Sequence, residues 1–224
     1  MKIIALCLFA ATSFLGFNLN PAHSLAKPET AILNEMNSEP EKKSVIDPAE
    51  VIARVPKDGD EVAVLETAQG RIVIMFFPDV APGHVARIKE CVSKDIYTGT
   101  FFHRVIPGFM IQGGDPNTKG GAKAGAGTGG YGTKLKQEFS AVPHERGICS
   151  MARSSDPNSA ASQIFIMHKK SPHLDNQYTV WGKVVEGMEA VDKIVALPKD
   201  RMDMPTDVAQ STITSAKLAK WPLK

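Results

Sequence analysis

The chemistry in this chain concentrates in one stretch, Phe101–Asp115, which reads FFHRVIPGFMIQGGD. It sets a single cation, Arg104, inside a dense apolar run. An arginine is almost never fully buried without a partner. Two placements satisfy that constraint. In one, Arg104 lies on an edge strand with its stem on the apolar surface and its head in water. In the other, its guanidinium faces an apolar cleft. Side chains alternate across a strand, so Met110 and Gln112 share a face, as do Gln163 and Phe165 in a later run. Two amides and two soft or aromatic side chains would then line one shared surface. Such a surface suits an apolar ring flanked by peptide backbone, which describes a proline within a chain.

Other chemistries lack their residues. The chain contains no Gly-x-Ser-x-Gly elbow, no His-Glu-x-x-His and no phosphate loop ending in Gly-Lys-Ser/Thr. Its histidines are scattered, and His168 and His173 stand five apart across a turn, a poor metal pair. Neither a metal nor a cofactor is expected. Gly125–Gly130 fits G-x-G-x-x-G formally. A dinucleotide site needs a strand before that motif and a helix after it. Here the preceding residues are polar and glycine-rich, and Tyr131-Gly132 follows, so the motif reads as a surface loop.

Composition narrows the class further. The 224 residues are 43% hydrophobic and 22% charged, a globular balance with material for a real core. A net charge of +2 without a dense basic run argues against a nucleic-acid coat protein. Three cysteines exclude a disulfide scaffold.

Residues 1–26 read as a secretory signal. Lys2 supplies the positive start, 3–17 are apolar, and Ser24-Leu25-Ala26 offers small residues at the positions a signal peptidase reads. The apolar run is shorter than the roughly 20 residues of a spanning helix. Cleavage after Ala26 removes Cys7 and leaves a soluble chain without membrane insertion, in the periplasm or an equivalent lumenal or secreted compartment. There Cys91 and Cys149 either pair or remain buried thiols; their apolar neighbours favour thiols.

Residues 27–59 are polar and read as a tether, with a short helix near Asp47–Ala53 started by Asp47-Pro48. The folded domain is expected over 60–224. EVAVLET (Glu61–Thr67) and RIVIMFF (Arg71–Phe77) around Gln69-Gly70 form a hairpin pattern. Val85, Ile88 and Val92 predict a helix over Ala81–Lys94, and Met188, Val191, Ile194 and Val195 a second. Further short strands are expected at 101–106, 110–112, 147–152, 163–168, 179–185 and around Ile213, with a long loop over 113–134. Many short strands and two helices suggest a mainly β fold, a closed antiparallel barrel with helices over its ends.

Residues 101–115 closely resemble the signature of the cyclophilin family of peptidyl-prolyl cis-trans isomerases. The resemblance continues through Phe139, Ser150–Ser154, Ser162–Ile166 and Trp181–Val184, over roughly residues 61–217, in the compact style of bacterial members. It implies a closed eight-stranded antiparallel barrel capped by two α-helices, with the active groove on its outer face. It implies that Arg104 is catalytic and hydrogen-bonds around the prolyl amide. Phe109, Met110, Phe165 and Leu174 would form the proline pocket; Gln112, Ala152 and Gln163 would hold the substrate backbone. Arg153 stands where asparagine is frequent and would present its backbone. His173 replaces a common tryptophan, which argues against strong cyclosporin binding, and Tyr178 replaces a common histidine while still walling the pocket. The implied partners are proline-containing unfolded or partly folded polypeptides; the charge balance speaks against nucleic acid, and with no interface signal in the sequence a monomer is expected. The alternative is a cyclophilin-like module that grips proline segments without turnover.

The leader reading is checked by N-terminal sequencing of the exported protein. The mature chain is expected to begin at Lys27; a chain still beginning at Met1 in the exported fraction overturns the cleavage.

Overall fold

The computed structural model describes residues 46–223. The leader 1–26 and the expected tether as far as residue 45 lie outside the described residues.

The expected hairpin is present as β1 (Glu61–Thr67) and β2 (Gly70–Phe76). Its turn is tied by Thr67, whose hydroxyl accepts from the Gln69 N–H and donates to the Gly70 carbonyl. Helix α2 (Pro82–Ser93) starts at a proline, where a missing N–H costs nothing. Ala81 has no side chain to cap it, so the cap comes from far along the chain: the Glu138 carboxylate accepts from the Gly83 and His84 N–H groups, both at 3.0 Å. Then follow β3 (Arg104–Ile106), β4 (Met110–Gly113), β5 (Ile148–Met151), β6 (Ile164–Met167), β7 (Val180–Glu186), helix α3 (Met188–Val195) and β8 (Ile213–Lys220). The junction of β7 and α3 is Gly187, at φ +92°, where an added Cβ would lie 1.9 Å from the Arg71 carbonyl oxygen. Only glycine fits there.

All strand pairs are antiparallel, in the order β3-β4-β6-β5-β7-β2-β1-β8. The ladder does not close, so the expected closed barrel is corrected to an open, curled half-barrel. At the two edges of the sheet, the segments leading into β3 and β8 meet through one isolated bridge, Phe101–Thr212. The reason is the shortness of β3. Its edge N–H at Val105 donates to the carbonyl of Asp203, in the loop before β8, at 2.9 Å, and Phe102 donates to Ser211 at 3.0 Å. Loop backbone thus occupies the seam where ladder pairing would otherwise run.

The central strands β5 and β6 are buried on both faces at every position, which is why β6 reads as an unbroken apolar run and Ser150 is the one polar residue of β5. On the inner face Leu65, Ile74, Ile111, Ile166 and Trp181 pack with α2 and α3. On the outer face Val62, Val73, Met110, Phe165, Met167 and Val180 form a second cluster. Cys91 and Cys149 are free and buried. Burial pushes the Cys91 thiol up to about 11 and raises that of Cys149 further.

The second cluster includes Val51, from helix α1 (Pro48–Ala53). The expected short helix therefore exists, with the Asp47 side chain accepting from the Ala49 N–H at 2.9 Å. Residues 46–59 belong to the packed body rather than to a solvated tether. Val51 is fully buried, Arg54 makes two 2.7 Å bonds to Asp79, and Lys183 Nζ donates to the carbonyl oxygens of Ile52 and Arg54 near the helix end.

Val51→Ala removes buried methyl groups and is expected to cost about 2 kcal/mol, lowering Tm by roughly 4–8 °C. An unchanged melting curve would mean that α1 is not anchored through this side chain.

Candidate active site

Directly paired residues in an antiparallel ladder share a face of the sheet. Arg104 pairs with Gln112, Gln112 with Phe165, and Phe165 with Ser150, making one row across β3, β4, β6 and β5. Two residues along, Ile106, Met110 and Met167 make a second row. Both rows lie on the outer face.

The rows open into a slot of about 110 Å³ lined by Arg104, Phe109, Met110, Gln112, Ala152, Arg153, Phe165, Leu174 and Tyr178. Nine of the eleven residues singled out from the sequence therefore meet in one place. Its floor is apolar: Met110 is 2% exposed, Phe165 5% and Leu174 7%. Its rim carries the Arg104 side chain, 45% exposed. The nearest carboxylate to that guanidinium is Asp203, Oδ2 to Nε 4.0 Å. Asp203 sits at φ +63°, with Lys199 Nζ on its other oxygen at 2.7 Å. Arg104 thus has a counter-ion to one side and an apolar slot to the other.

The other two residues lie next to the slot. Gln163 accepts from Gln112 Nε2 at 2.9 Å and donates its own Nε2 to the Gly129 carbonyl at 2.7 Å. His173 packs its ring on Phe109, centroids 5.5 Å apart. It supports the slot's outer wall without lining the slot. Arg153 presents more than backbone: its guanidinium lies 4.4 Å over the Tyr178 ring and donates to the Gln177 carbonyl. That contact builds a wall from two of the three positions that differ from the usual family residues.

Beyond the wall a second recess of about 280 Å³ shares Gln112, Ala152, Arg153 and Gln163 with the slot region and is closed by Gly127–Gly129, Lys134 and Ser159. The glycine-rich loop therefore lines this recess. It is organised by Asp115, fully buried, whose carboxylate accepts from the N–H groups of Asn117, Gly127 and Gly129. Arg87, on α2, holds the next segment by donating to the carbonyl oxygens of Tyr131, Thr133 and Ala161. Sequence reasoning missed the loop's role. The signal for it was a buried-type Asp immediately after Gly113-Gly114, which matches the Asx-turn chemistry of Asp115. Among the described residues no group of three or more His, Cys, Asp or Glu is placed to hold a metal ion.

This arrangement has close counterparts. The family described as cyclophilin type peptidyl-prolyl cis-trans isomerase/CLD matches residues 62–218. A probable peptidyl-prolyl cis-trans isomerase of Brucella abortus is 50% identical over 142 residues, covering 61% of this chain and 72% of that one. Peptidyl-prolyl cis-trans isomerase B of Bacillus subtilis is 42% identical over 121 residues, covering 53% and 79% respectively. A Cryptosporidium parvum cyclophilin-type isomerase, crystallised in the presence of the dipeptide Ala-Pro, superposes with a TM-score of 0.64 at 30% identity, over 71% of this chain and 99% of that one. A cyclophilin from Hirschia baltica superposes with a TM-score of 0.60 at 28% identity, over 80% of each. Half-barrel, slot and sequence agree, and the chain belongs to the cyclophilin-type peptidyl-prolyl cis-trans isomerases. Its activity is that of the class, rotation about X-Pro peptide bonds.

Gln163→Leu strips the partner from Gln112 and from the Gly129 carbonyl. Peptide affinity is expected to fall about tenfold, or roughly 1.4 kcal/mol, with far-UV circular dichroism unchanged. Wild-type affinity in a calorimetric titration with a proline tetrapeptide would remove the amide pair from substrate binding.

Proposed function

We propose that Arg104 is the catalytic group of this isomerase and that the Met110–Phe165–Leu174 floor receives the prolyl ring. The X-Pro bond resists rotation by about 18–20 kcal/mol, because the nitrogen shares its lone pair with the carbonyl. In the twisted state that sharing is lost, and the nitrogen becomes pyramidal and basic. A guanidinium beside the slot can then donate to it, an interaction the planar ground state does not offer. That is preferential binding of the transition state.

Magnitudes decide how much else is needed. Bringing tens of seconds down to milliseconds takes about 10⁴-fold, roughly 5–6 kcal/mol. One charge-assisted hydrogen bond supplies about 1.5–3 kcal/mol. The apolar floor supplies a further part, since planar amide resonance separates charge and is weakened out of water. The remainder falls to grip: the ring is held by Phe109, Met110, Phe165 and Leu174 while Gln112, Gln163, Ala152 and the backbone of Arg153 hold the flanking chain. Tyr178 closes one side, and His173 backs Phe109. No nucleophile, metal or cofactor enters this scheme.

The observation that carries the reading is the single row Arg104–Gln112–Phe165 at the mouth of an apolar slot. The Ala-Pro dipeptide used with the Cryptosporidium parvum relative supports an X-Pro segment as ligand. The leader-like residues 1–26 support a home outside the cytoplasm, periplasmic or equivalent, where the substrates would be exported polypeptides still folding. Arg104→Ala is expected to stay folded and lose at least a hundredfold in kcat/KM, on the order of 3 kcal/mol. Arg104→Lys should recover little, because a point charge lacks the planar fork. Near-normal turnover of a proline tetrapeptide by Arg104→Ala would take that role from it. Tight peptide binding by the unsubstituted protein without rate enhancement would favour a binding module instead.

A further inference from the structure

Three side chains of the outer face lie in the order Ser150–His144–Asp175, joined by hydrogen bonds. The His144 Nε2 is 3.0 Å from Ser150 Oγ. Its Nδ1 is 3.0 Å from Asp175 Oδ1, and its backbone N–H donates to the same oxygen at 2.8 Å. In an open site this order would suggest an activated nucleophile. Here Ser150 is fully buried and His144 is 1% exposed, so the hydroxyl has no route to a substrate. The arrangement needs another explanation.

Its neighbours supply one. The His144 ring is stacked with Phe165, centroids 6.0 Å apart at 17°. It meets Tyr178 edge-on, at 6.4 Å and 82°. Phe165 and Tyr178 meet each other at 5.5 Å and 84°. Two of these three rings line the slot; the third lies outside it. A phenylalanine ring has no polar handle, so its orientation is set only by what packs against it. His144 is the member of the cluster whose orientation is locked at both ends.

We propose that His144, fixed between Asp175 and Ser150, is a positioning residue for isomerisation, holding Phe165 and Tyr178 in the geometry that grips the prolyl ring. The proposal rests on the reading of the slot given above. An ionised carboxylate only accepts, so Nδ1 carries the proton and Nε2 accepts from the Ser150 hydroxyl. Burial lowers the imidazole pKa, and the nearby His173 adds to that effect, while Asp175 opposes it. The net direction keeps the ring neutral near pH 7, in this one tautomer. The chain of bonds ties three parts of the slot together. Ser150 is on β5, directly opposite Phe165 on β6. Asp175 follows Leu174 of the slot floor, and Tyr178 stands three residues further on.

The test compares four variants of the full chain with the unsubstituted protein in a proline-tetrapeptide isomerase assay, well below each Tm. His144→Phe keeps a ring but loses both hydrogen bonds. It is expected to lose about tenfold in kcat with little change in KM. Asp175→Ala should lose about fivefold in kcat. Asp175→Asn, whose amide oxygen still accepts from both His144 N–H groups, should lose no more than about twofold. Arg104→Ala runs alongside as the control for the slot itself. Nitrogen NMR of His144 should report the Nδ1–H tautomer in the unsubstituted protein and its loss of definition in Asp175→Ala. Should His144→Phe fail to fold, the Asp175 pair carries the test. Unchanged kcat in Asp175→Ala, or equal losses in Asp175→Ala and Asp175→Asn, overturns the positioning role. If Arg104→Ala has lost activity in that case, the slot reading survives. If Arg104→Ala is also fully active, the slot reading is what has failed.

Discussion

Register is the constraint on which the site depends. Arg104, Gln112 and Phe165 come from three strands, and backbone pairing alone sets them side by side. Because side chains alternate along a strand, a slip of one residue in β4 would turn Met110 and Gln112 inward and bring Ile111 out. Burial on both faces of the sheet forbids that slip. Ile111 belongs to the inner cluster and Met110 to the outer one, so each is held to its own side. The apolar packing that stabilises the half-barrel is thus also what aims the guanidinium.

The support around that row is assembled from distant segments. Asp203, in an unusual backbone conformation, both accepts from the Val105 N–H and brings its carboxylate towards Arg104. Asp115 gathers the glycine-rich loop that closes the second recess. Arg153 and Tyr178 act as a pair, a cation over a ring, with Tyr178 lining the slot and Arg153 lining both hollows. Seen this way, their departures from the residues usual in the family belong together: the arginine has a flat aromatic partner, and the tyrosine has something to pack its outer face.

What was legible in the sequence was local. The alternation of Glu61–Thr67, the turn at Gln69-Gly70 and the helical spacing of Val85, Ile88 and Val92 are all short-range patterns, and each names its element correctly. The run Phe101–Asp115 was informative because a cation in an apolar strand needs a reason. The parts that escaped depend on long-range pairing. Closure of the barrel turns on whether a three-residue strand meets β8, which no periodicity encodes. The segment 46–59 shows no strand or long-helix periodicity, and it is bound to the body by contacts with distant residues: Val51 in the outer cluster, Arg54 on Asp79, Lys183 arriving from β7, and the Gly59 N–H on the Trp221 carbonyl. His144 and Asp175 are 31 positions apart, and nothing in the spacing joins them.

The two glutamines have one consequence that concerns direction. Donation runs one way, from Gln112 to Gln163 to the Gly129 carbonyl. This orients the Gln112 amide, spending one of its two N–H groups on Gln163 and leaving its oxygen as a lone-pair acceptor. In the binding mode proposed above, that oxygen is the acceptor offered to a backbone N–H of the guest. Since a polypeptide read backwards exchanges N–H and C=O, an amide held in one sense would, in that mode, favour one direction of threading.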